Sequence, residues 1–256
     1  MPHGDCHATD RLRRPLAAHQ RGGCGPCPPV GRLEHADGRR SGVISQQTQT
    51  AAYISGVATG KRGQRCRQVM EKAPPEFVRA GSPFFMFFVL EGLVRQGRFA
   101  EMIQTIRDYW GQQVHAGATT FWETYHPDRP RLTRSHCHGW SAAPTYFLSA
   151  YVLGVMPEAP GFAKVRIAPR VGDLAWAQGR MPTPHGVIEC AWSNGPEGFT
   201  LKVQTPKRLP LRIELPVKGG LQVLAGKVRL TRSGGKTVLT NSDMLVQLAV
   251  RPGRRK

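Results

Sequence analysis

Ser82-Pro-Phe-Phe-Met-Phe-Phe-Val-Leu-Glu-Gly-Leu-Val-Arg-Gln-Gly97 is the stretch that decides the fold. Ser82 is a typical N-cap, Pro83 suits the first position of a helix, and Gly97 is a typical helix end. The helix between them is apolar on nearly every side, so we expect it to be buried among other helices. The stretch therefore predicts a helical layer rather than an isolated surface helix.

A second helix is predicted after only Gly97 and Arg98, and the short connection predicts an antiparallel hairpin. Its apolar residues recur at helical spacing, with Gly111 as the expected end: Phe99, Met102, Ile103, Ile106, Tyr109 and Trp110. Further helices are predicted over 48–59, 63–72 and 140–152, the last with Pro144 in its first turn. Repeated helical hairpins are typical of an α/α toroid or solenoid.

After Pro160 the apolar residues alternate with polar ones, as in strands. Short strands are predicted over 165–167, 187–192, 199–203, 211–215, 221–224, 228–230 and 244–250. Turn residues such as Asn194-Gly-Pro and Gly219-Gly separate them at the spacing of an antiparallel β-sandwich. The predicted order is thus a helical region over 45–158, a sandwich over 159–250 and a basic tail over 251–256, an α+β chain of several domains.

Lys and Arg number 36 against 17 Asp and Glu, a net charge of +19. Such an excess suggests nucleic acid or an anionic membrane when it is clustered. Here the cations are spread along the chain, and in the strands they alternate with apolar residues. This pattern favours the solvated face of a sheet over a binding surface, and it makes a nucleic-acid partner the weaker interpretation.

The sequence shows no membrane or export signal. No apolar run approaches the roughly 18 residues of a membrane helix, and Met1-Pro-His-Gly-Asp-Cys6 lacks the basic and then apolar pattern of a secretory signal. Six scattered cysteines do not form a disulfide scaffold in a chain of this length. We expect a cytoplasmic protein without membrane contact.

Residues 1–44 are rich in Gly, Pro, Arg and His and contain no aromatic residue, so we expect them to be disordered. Cys24-Gly-Pro-Cys27 has the spelling of a thioredoxin motif but lacks the flanking strand and helix that this chemistry needs. A zinc knuckle is the other alternative, with ligands drawn from Cys6, Cys24, Cys27 and one of His3, His7, His19 or His35. Incidental cysteines are favoured over both, and no metal or other cofactor is predicted.

Residues 116–125 have neither a helical nor a strand pattern and place one carboxylate, Glu123, among Phe121, Trp122 and Tyr125. A shielded carboxylate beside flat aromatic faces is what a glycosidase needs. Alternatively, Glu123 caps the next turn or pairs with Arg129 or Arg131. Both interpretations stay open on the residues alone.

Ser135-His-Cys-His138-Gly-Trp140 is a second candidate cluster, just before a predicted helix. A metal site here lacks a fourth ligand at a persuasive spacing, and adjacent side chains diverge. Hydrogen bonding of a histidine to a sugar hydroxyl, with Trp140 as a stacking face, is the better functional interpretation.

Taken in order, several motifs closely resemble the C-terminal part of bacterial α-L-rhamnosidases of glycoside hydrolase family 78. They are Ala118-Thr-Thr-Phe-Trp-Glu123, Ser135-His-Cys-His138, Pro160-Gly-Phe-Ala-Lys-Val-Arg-Ile-Ala-Pro169, Leu174-Ala-Trp-Ala177 and Pro182-Thr-Pro-His-Gly-Val-Ile-Glu189. The resemblance runs from about residue 46 to residue 250. It implies the end of an (α/α)6 barrel followed by the family's β-sandwich.

The resemblance also implies hydrolysis of terminal α-L-rhamnosides with inversion. It assigns Glu123 as the general base that activates water and His138 as a hydrogen-bonding partner of rhamnose, with Trp122 and Trp140 as walls of the site. An inverting enzyme also needs a general acid on the opposite side of the bond. In the family this acid comes from an acidic loop earlier in the barrel, which no part of this sequence resembles.

The remaining carboxylates of the helical region lie in no such acidic cluster: Glu71, Glu76, Glu91, Glu101, Asp108 and Asp128. We therefore expect a truncated rhamnosidase that is weak or inactive alone, whose open barrel exposes apolar faces unless an oligomer or partner covers them. The alternatives are a non-catalytic carbohydrate-binding or structural fragment and a basic nucleic-acid-binding protein.

Overall fold

The computed structural model describes residues 32–34, 40–125, 134–217, 219–233, 236–241 and 243–251. Across them a layer of helices precedes two five-stranded sheets, which confirms the predicted fold class. The helices are α1 (Gln46–Ile54), α2 (Gly60–Glu71), α3 (Pro83–Arg95), α4 (Phe99–His115) and α5 (Ala143–Phe147). Within the described ranges, none of these helices has both the length and the apolar character needed to cross a bilayer.

The α3–α4 hairpin forms as its short connection predicts. Ser82 is the extended N-cap residue of α3, Pro83 lies in the first turn, and Gly97 turns the chain with a φ of +73°. The predicted end of α4 at Gly111 is wrong, because the helix continues to His115 and stops before Gly117, whose φ is +80°. A glycine inside a helix costs only about 1 kcal/mol, which neighbouring packing can offset.

The prediction that α3 is buried among other helices holds for only one of its faces. One face is buried in the core through Met86, Val89, Leu90 and Leu93. The other face is open, because the described elements cover only part of the helix: Phe84 is exposed, and Phe85, Phe87 and Phe88 are half-buried.

The first two helices begin earlier than the predicted 48–59 and 63–72, and at α1 a polar side chain fixes the start. Ser45 caps α1, with its Oγ accepting a hydrogen bond from the backbone N–H of Thr48 at 3.1 Å. The buried amide of Gln46 donates to the carbonyl of Met70 at 2.7 Å and accepts from the N–H of Ala80 at 2.9 Å. One side chain therefore joins α1 to the end of α2 and to the segment before α3.

The fifth predicted helix is present but irregular. A 3₁₀ turn over Gly139–Ser141 precedes α5, which continues as a π-helical turn over Leu148–Val152. Pro144 lies in the first turn of α5, as predicted. Gly154 follows with a φ of +84°, and a Cβ there would collide with the backbone of the chain near Pro169.

The strands of the two five-stranded sheets begin at the end of this helical segment. They are β3 (Val155–Pro157), β4 (Val165–Ile167), β5 (Trp176–Thr183), β6 (Gly186–Gly195), β7 (Gly198–Gln204), β8 (Leu211–Glu214), β9 (Gly220–Ala225), β10 (Arg229–Ser233), β11 (Lys236–Asn241) and β12 (Leu245–Arg251). The first sheet has the order β10-β11-β8-β4-β3, and the second sheet has the order β5-β6-β7-β12-β9. All pairs are antiparallel except β4 with β8.

The two sheets and the helices share one hydrophobic core. In the second sheet the inward residues alternate along β6 and β7, with Ile188, Cys190, Trp192, Leu201 and Val203 buried. The indole N–H of Trp192 donates to the carbonyl of Val152 at 2.9 Å, which fastens this sheet to the helical segment. The sandwich thereby supports the helices that carry the candidate site.

Most of the segment predicted to be disordered, 1–44, lies outside the described residues, as do Cys6, Cys24, Cys27 and the associated histidines. Its described part forms a small antiparallel sheet of β1 (Arg32–Glu34) and β2 (Arg40–Ile44). Contrary to the predicted disorder, these two stretches pair as strands, because backbone pairing needs no alternating apolar pattern.

Candidate active site

The loop that follows α4 is held in place by one buried amide. Gln113 near the end of α4 is only 2% exposed. Its Oε1 accepts from the N–H of Trp122 at 3.2 Å, and its Nε2 donates to the carbonyls of Trp122 at 3.2 Å and Thr124 at 2.9 Å. Because both ends of the amide are used, the backbone on either side of Glu123 is fixed relative to α4.

Two segments that are distant in sequence pair across the site. The N–H of Glu123 donates to the carbonyl of Ser135 at 2.9 Å, and the N–H of His138 donates to the carbonyl of Phe121 at 2.8 Å. Thr120 adds a side-chain hydrogen bond to the carbonyl of His136. This pairing brings together the two clusters that the sequence singled out, so Glu123 and His138 belong to one constellation.

The carboxylate of Glu123 is held at both oxygens. Nη1 of Arg134 lies 3.2 Å from Oε1, and the backbone N–H of Ser135 donates to Oε2 at 3.2 Å. The side chain remains 30% exposed, so solvent reaches it. Arg129 and Arg131, the partners that the alternative interpretation named, lie outside the described residues, so that alternative stays untested.

Trp122 and His136 form a stacked pair beneath the loop. Their ring centroids are 4.2 Å apart and their planes differ by 12°. Trp122 is only 7% exposed, so it offers little free surface to a sugar. Its role as a wall of the site stays a prediction, and its visible contribution is to support the loop that carries Glu123.

Trp140 has the open aromatic face that the sequence predicts. It is 72% exposed, and its ring meets that of His138 edge-on at 6.1 Å. Phe84 at the start of α3 lies 5.1 Å from Trp140 and extends this surface. Phe84 could not be singled out from the sequence, because an apolar residue in the first turn of a helix resembles its buried neighbours.

Tyr125 packs against α4 and does not face solvent. Its ring contacts those of Tyr109 at 5.0 Å and Trp110 at 5.5 Å, and its side chain is buried. Burial raises the pKa of the Tyr125 hydroxyl far above its ordinary value. That hydroxyl has no hydrogen-bond partner among the described residues, so Tyr125 is a neutral packing group and not an acid or base near pH 7.

The carboxylates that lie on the described helices are engaged with neighbouring side chains, while Glu76 lies in an exposed turn. Glu91 pairs with Arg95 at 2.8 Å, Glu101 pairs with Arg98 at 3.0 Å, and Asp108 accepts from Gln104 at 2.6 Å. Glu71 also pairs with Arg98. Within the described ranges, no three His, Cys, Asp or Glu side chains converge in a way that would hold a metal ion.

Comparison with known proteins gives two adjoining matches. Residues 44–152 match the model of the bacterial α-L-rhamnosidase 6 hairpin glycosidase domain, and residues 154–228 match that of the bacterial α-L-rhamnosidase C-terminal domain. The chain is also 32% identical over 104 residues to an α-L-rhamnosidase of Alteromonas sp. (strain LOR), covering 38% of this chain and 11% of that protein.

Two solved structures show the same fold. A family GH78 rhamnosidase of Bacillus sp. GL1 is 44% identical, with a TM-score of 0.61 over 66% of this chain and 19% of its own. An α-L-rhamnosidase of Streptomyces avermitilis, determined with L-rhamnose, is 18% identical, with a TM-score of 0.67 over 85% of this chain and 22% of its own. The second likeness shows the fold alone.

This chain spans only a small part of each relative, between 11% and 22% of the three proteins just described. The two domain matches nevertheless correspond to the structure in order. The glycosidase-domain match covers the helices, and the C-terminal-domain match begins where the two five-stranded sheets begin. The chain belongs to the bacterial α-L-rhamnosidase family, with part of its 6-hairpin glycosidase domain followed by its C-terminal domain.

Proposed function

We propose that this chain supplies the general-base side of an inverting α-L-rhamnosidase site, with Glu123 as the base. The observation that carries the proposal is the anchoring of both carboxylate oxygens by Arg134 and the N–H of Ser135. A base must present a lone pair to water in a fixed direction. The charge-assisted hydrogen bond from the guanidinium fixes that direction, and the partial exposure of Glu123 leaves room for the water.

His138 and Trp140 are the groups that would hold the sugar. The backbone hydrogen bond of His138 to Phe121 places His138 in the segment that pairs with the Glu123 loop, and Trp140 offers an open face next to its ring. A sugar ring has apolar C–H faces that stack on an indole and hydroxyls that hydrogen-bond an imidazole. We therefore assign rhamnose to the side of the site that Trp140 borders.

The general acid of this reaction comes from elsewhere in the complete barrel. An inverting pair of carboxyls is separated by roughly 6.5–9.5 Å, and the acidic residues of the described helices make local surface contacts instead. We accordingly expect the 256-residue chain to bind rhamnose weakly and to hydrolyse rhamnosides poorly.

The open side of the helical layer fits the same proposal. The helical layer carries exposed apolar side chains that further hairpins of a closed barrel would cover, apart from the Trp140 surface: Val57, Tyr109, Val114, Tyr146 and Leu148. Large contiguous apolar patches on soluble proteins mark contact sites. We propose that the remaining helical hairpins of the domain pack on this side.

A cytoplasmic location stays a prediction.

A chimera tests the role of Glu123 without relying on activity of the isolated chain. The matched segment of this chain would replace its counterpart in the Bacillus sp. GL1 rhamnosidase, and hydrolysis of an aryl α-L-rhamnoside would be measured. We expect the Glu123→Gln chimera to lose about 10²-fold or more in kcat. Equal kcat in the two chimeras would overturn the assignment.

A further inference from the structure

The outer face of the second sheet carries a hollow bordered by polar and charged side chains, which the proposed rhamnoside site does not use. The hollow has a volume of about 450 Å³ and lies over β5, β6 and β7. Its lining side chains include Gln178, Arg180, Glu189, Lys202 and Gln204. Its size falls in the range of small-ligand sites, roughly 300–1,000 Å³.

Strand register explains why a hollow forms there. Gln178 of β5, Ala191 of β6 and Lys202 of β7 are direct cross-strand neighbours. The small side chain of Ala191 therefore leaves a depression between two long polar ones. The next row along the same face consists of Arg180, Glu189 and Gln204, which closes one end of the depression.

An exposed tryptophan stands at the other end. Trp176 pairs with Ser193 in the row that neighbours Gln178, so it projects from the same face about 7 Å further along β5. It is 65% exposed, which leaves its ring free to receive a flat apolar surface. Exposed indole next to polar side chains is suited to the alternating C–H and hydroxyl surface of a sugar.

Positive charges outnumber negative charges on this face. Arg180 pairs with Glu189 at 3.4 Å. Lys202 and Arg251 lie on the same face and form no ion pair with any residue that the structure describes. The face therefore combines spare cations with acceptors in Glu189 and the glutamine amides. Phosphate backbones offer no donors to those acceptors, whereas sugar hydroxyls do.

We propose that this face is a non-catalytic binding site for an acidic oligosaccharide that contains uronic acid residues. One sugar ring stacks on Trp176. The hydroxyls of the adjacent sugar form hydrogen bonds with Gln178, Glu189 and Gln204, and a uronate carboxylate forms an ion pair with Lys202. The site is separate from Glu123 and His138, and it does not depend on rhamnoside hydrolysis.

Titration of the purified chain with tetragalacturonate tests the proposal, with maltotetraose as the neutral control. We expect binding of the acidic sugar that weakens as salt rises, and little binding of the neutral one. Trp176→Ala and Lys202→Ala should each raise Kd about tenfold. Both residues are exposed, so the variants should retain the circular-dichroism spectrum and unfolding midpoint of the parent chain.

Lys61→Ala is the matched control, because it removes one exposed positive charge from α2 in the helical layer, away from this face. Its Kd should equal that of the parent chain. The proposal is overturned by absence of tetragalacturonate binding, or by binding that survives unchanged in both Trp176→Ala and Lys202→Ala. If tetragalacturonate does not bind but a single-stranded DNA oligonucleotide binds and is weakened by both substitutions, the face binds nucleic acid and the proposal is overturned.

Discussion

Arg134 holds Glu123 by a hydrogen bond of 3.2 Å from Nη1 to Oε1, and the N–H of Ser135 holds the other oxygen at the same distance. The cation and its neighbour in sequence thus act on both oxygens of one carboxylate. In this arrangement Arg134 is a positioning residue, since it acts through Glu123 rather than on the sugar.

Removal of Arg134 should therefore lower kcat more than it raises KM. In the rhamnosidase chimera we expect Arg134→Ala to reduce kcat about tenfold, because Glu123 loses one of its two anchors. Arg134→Lys should recover part of this loss, since it keeps the charge but not the planar fork of donors. A change in KM alone, with kcat intact, would assign Arg134 to substrate binding instead.

Gln113 is the second support of the site, and its loss should destabilise the fold. Gln113→Ala leaves the N–H of Trp122 and two carbonyls without their partner, so we expect a loss of about 1–3 kcal/mol in the free energy of unfolding. Urea unfolding measures this change. Gln112→Ala is the control, because the neighbouring amide donates to the carbonyl of Asp108 in its own helix, its one side-chain hydrogen bond among the described residues. Equal midpoints for the two variants would contradict the bridging role of Gln113.

The helical hairpin was predictable because its signals are local. Ser82, Pro83 and Gly97 mark the ends of α3, and the apolar spacing marks α4. β5 escaped prediction because Gly179 and Pro182 interrupt its alternation, and its pairing with β6 over eight residues compensates for them. The parallel pairing of β4 with β8 was equally hidden, since the order of strands in a sheet is set by long-range packing.

The candidate site was predictable in its parts but not in its assembly. Residue types identified Glu123, His138 and Trp140 as chemically interesting. Their meeting depends on backbone hydrogen bonds between 121–123 and 135–138, which no local pattern encodes. Gln113 and Arg134 were missed for the same reason, because a polar residue near a helix end or in a loop resembles any solvated side chain until its partners are known.

The described cysteines should differ sharply in reactivity. Cys137 is exposed, whereas Cys66 and Cys190 are buried. Burial raises the pKa of the Cys66 thiol, and it raises that of Cys190 to about 12. Since the thiolate is the reactive form, iodoacetamide should label Cys137 quickly and leave Cys190 unlabelled in the native protein. Site-resolved mass spectrometry measures both, and rapid native labelling of Cys190 would refute the prediction.

The same shift predicts how stability depends on alkaline pH. The folded state disfavours the Cys190 thiolate. The contribution of the protonated Cys190 thiol to stability is therefore fully present below the ordinary pKa of 9.0, and it is lost as pH rises toward 12. Cys190→Ala should flatten that part of the stability profile in urea unfolding at a series of pH values. Cys137→Ala is the control, and an identical slope in both variants would count against Cys190 as the source.

Arg107 and Asp173 clamp the helices to the sandwich, and this clamp should depend on acid pH and salt. Nη1 and Nη2 of Arg107 in α4 bond Oδ2 and Oδ1 of Asp173 at 2.7 and 2.9 Å. The hydrogen bonds and charge of Arg107 lower the pKa of Asp173 below its usual 3.8. Because the pKa of Asp173 is lower in the folded state, the ion pair stabilises the fold at pH values above the ordinary pKa of Asp. This stabilisation is lost as the pH falls through the pKa of Asp173 in the folded state.

Asp173→Asn should therefore lower the urea midpoint near pH 7 and low salt, and should differ less from the parent chain near pH 3. Raising the salt to about 1 M should shrink the difference at pH 7, since the pair is exposed and salt screens it. Glu197→Gln is the control, because it removes an exposed carboxylate that forms no ion pair with the described residues. If Glu197→Gln reproduces the effect of Asp173→Asn, general charge and not the clamp accounts for the pH dependence.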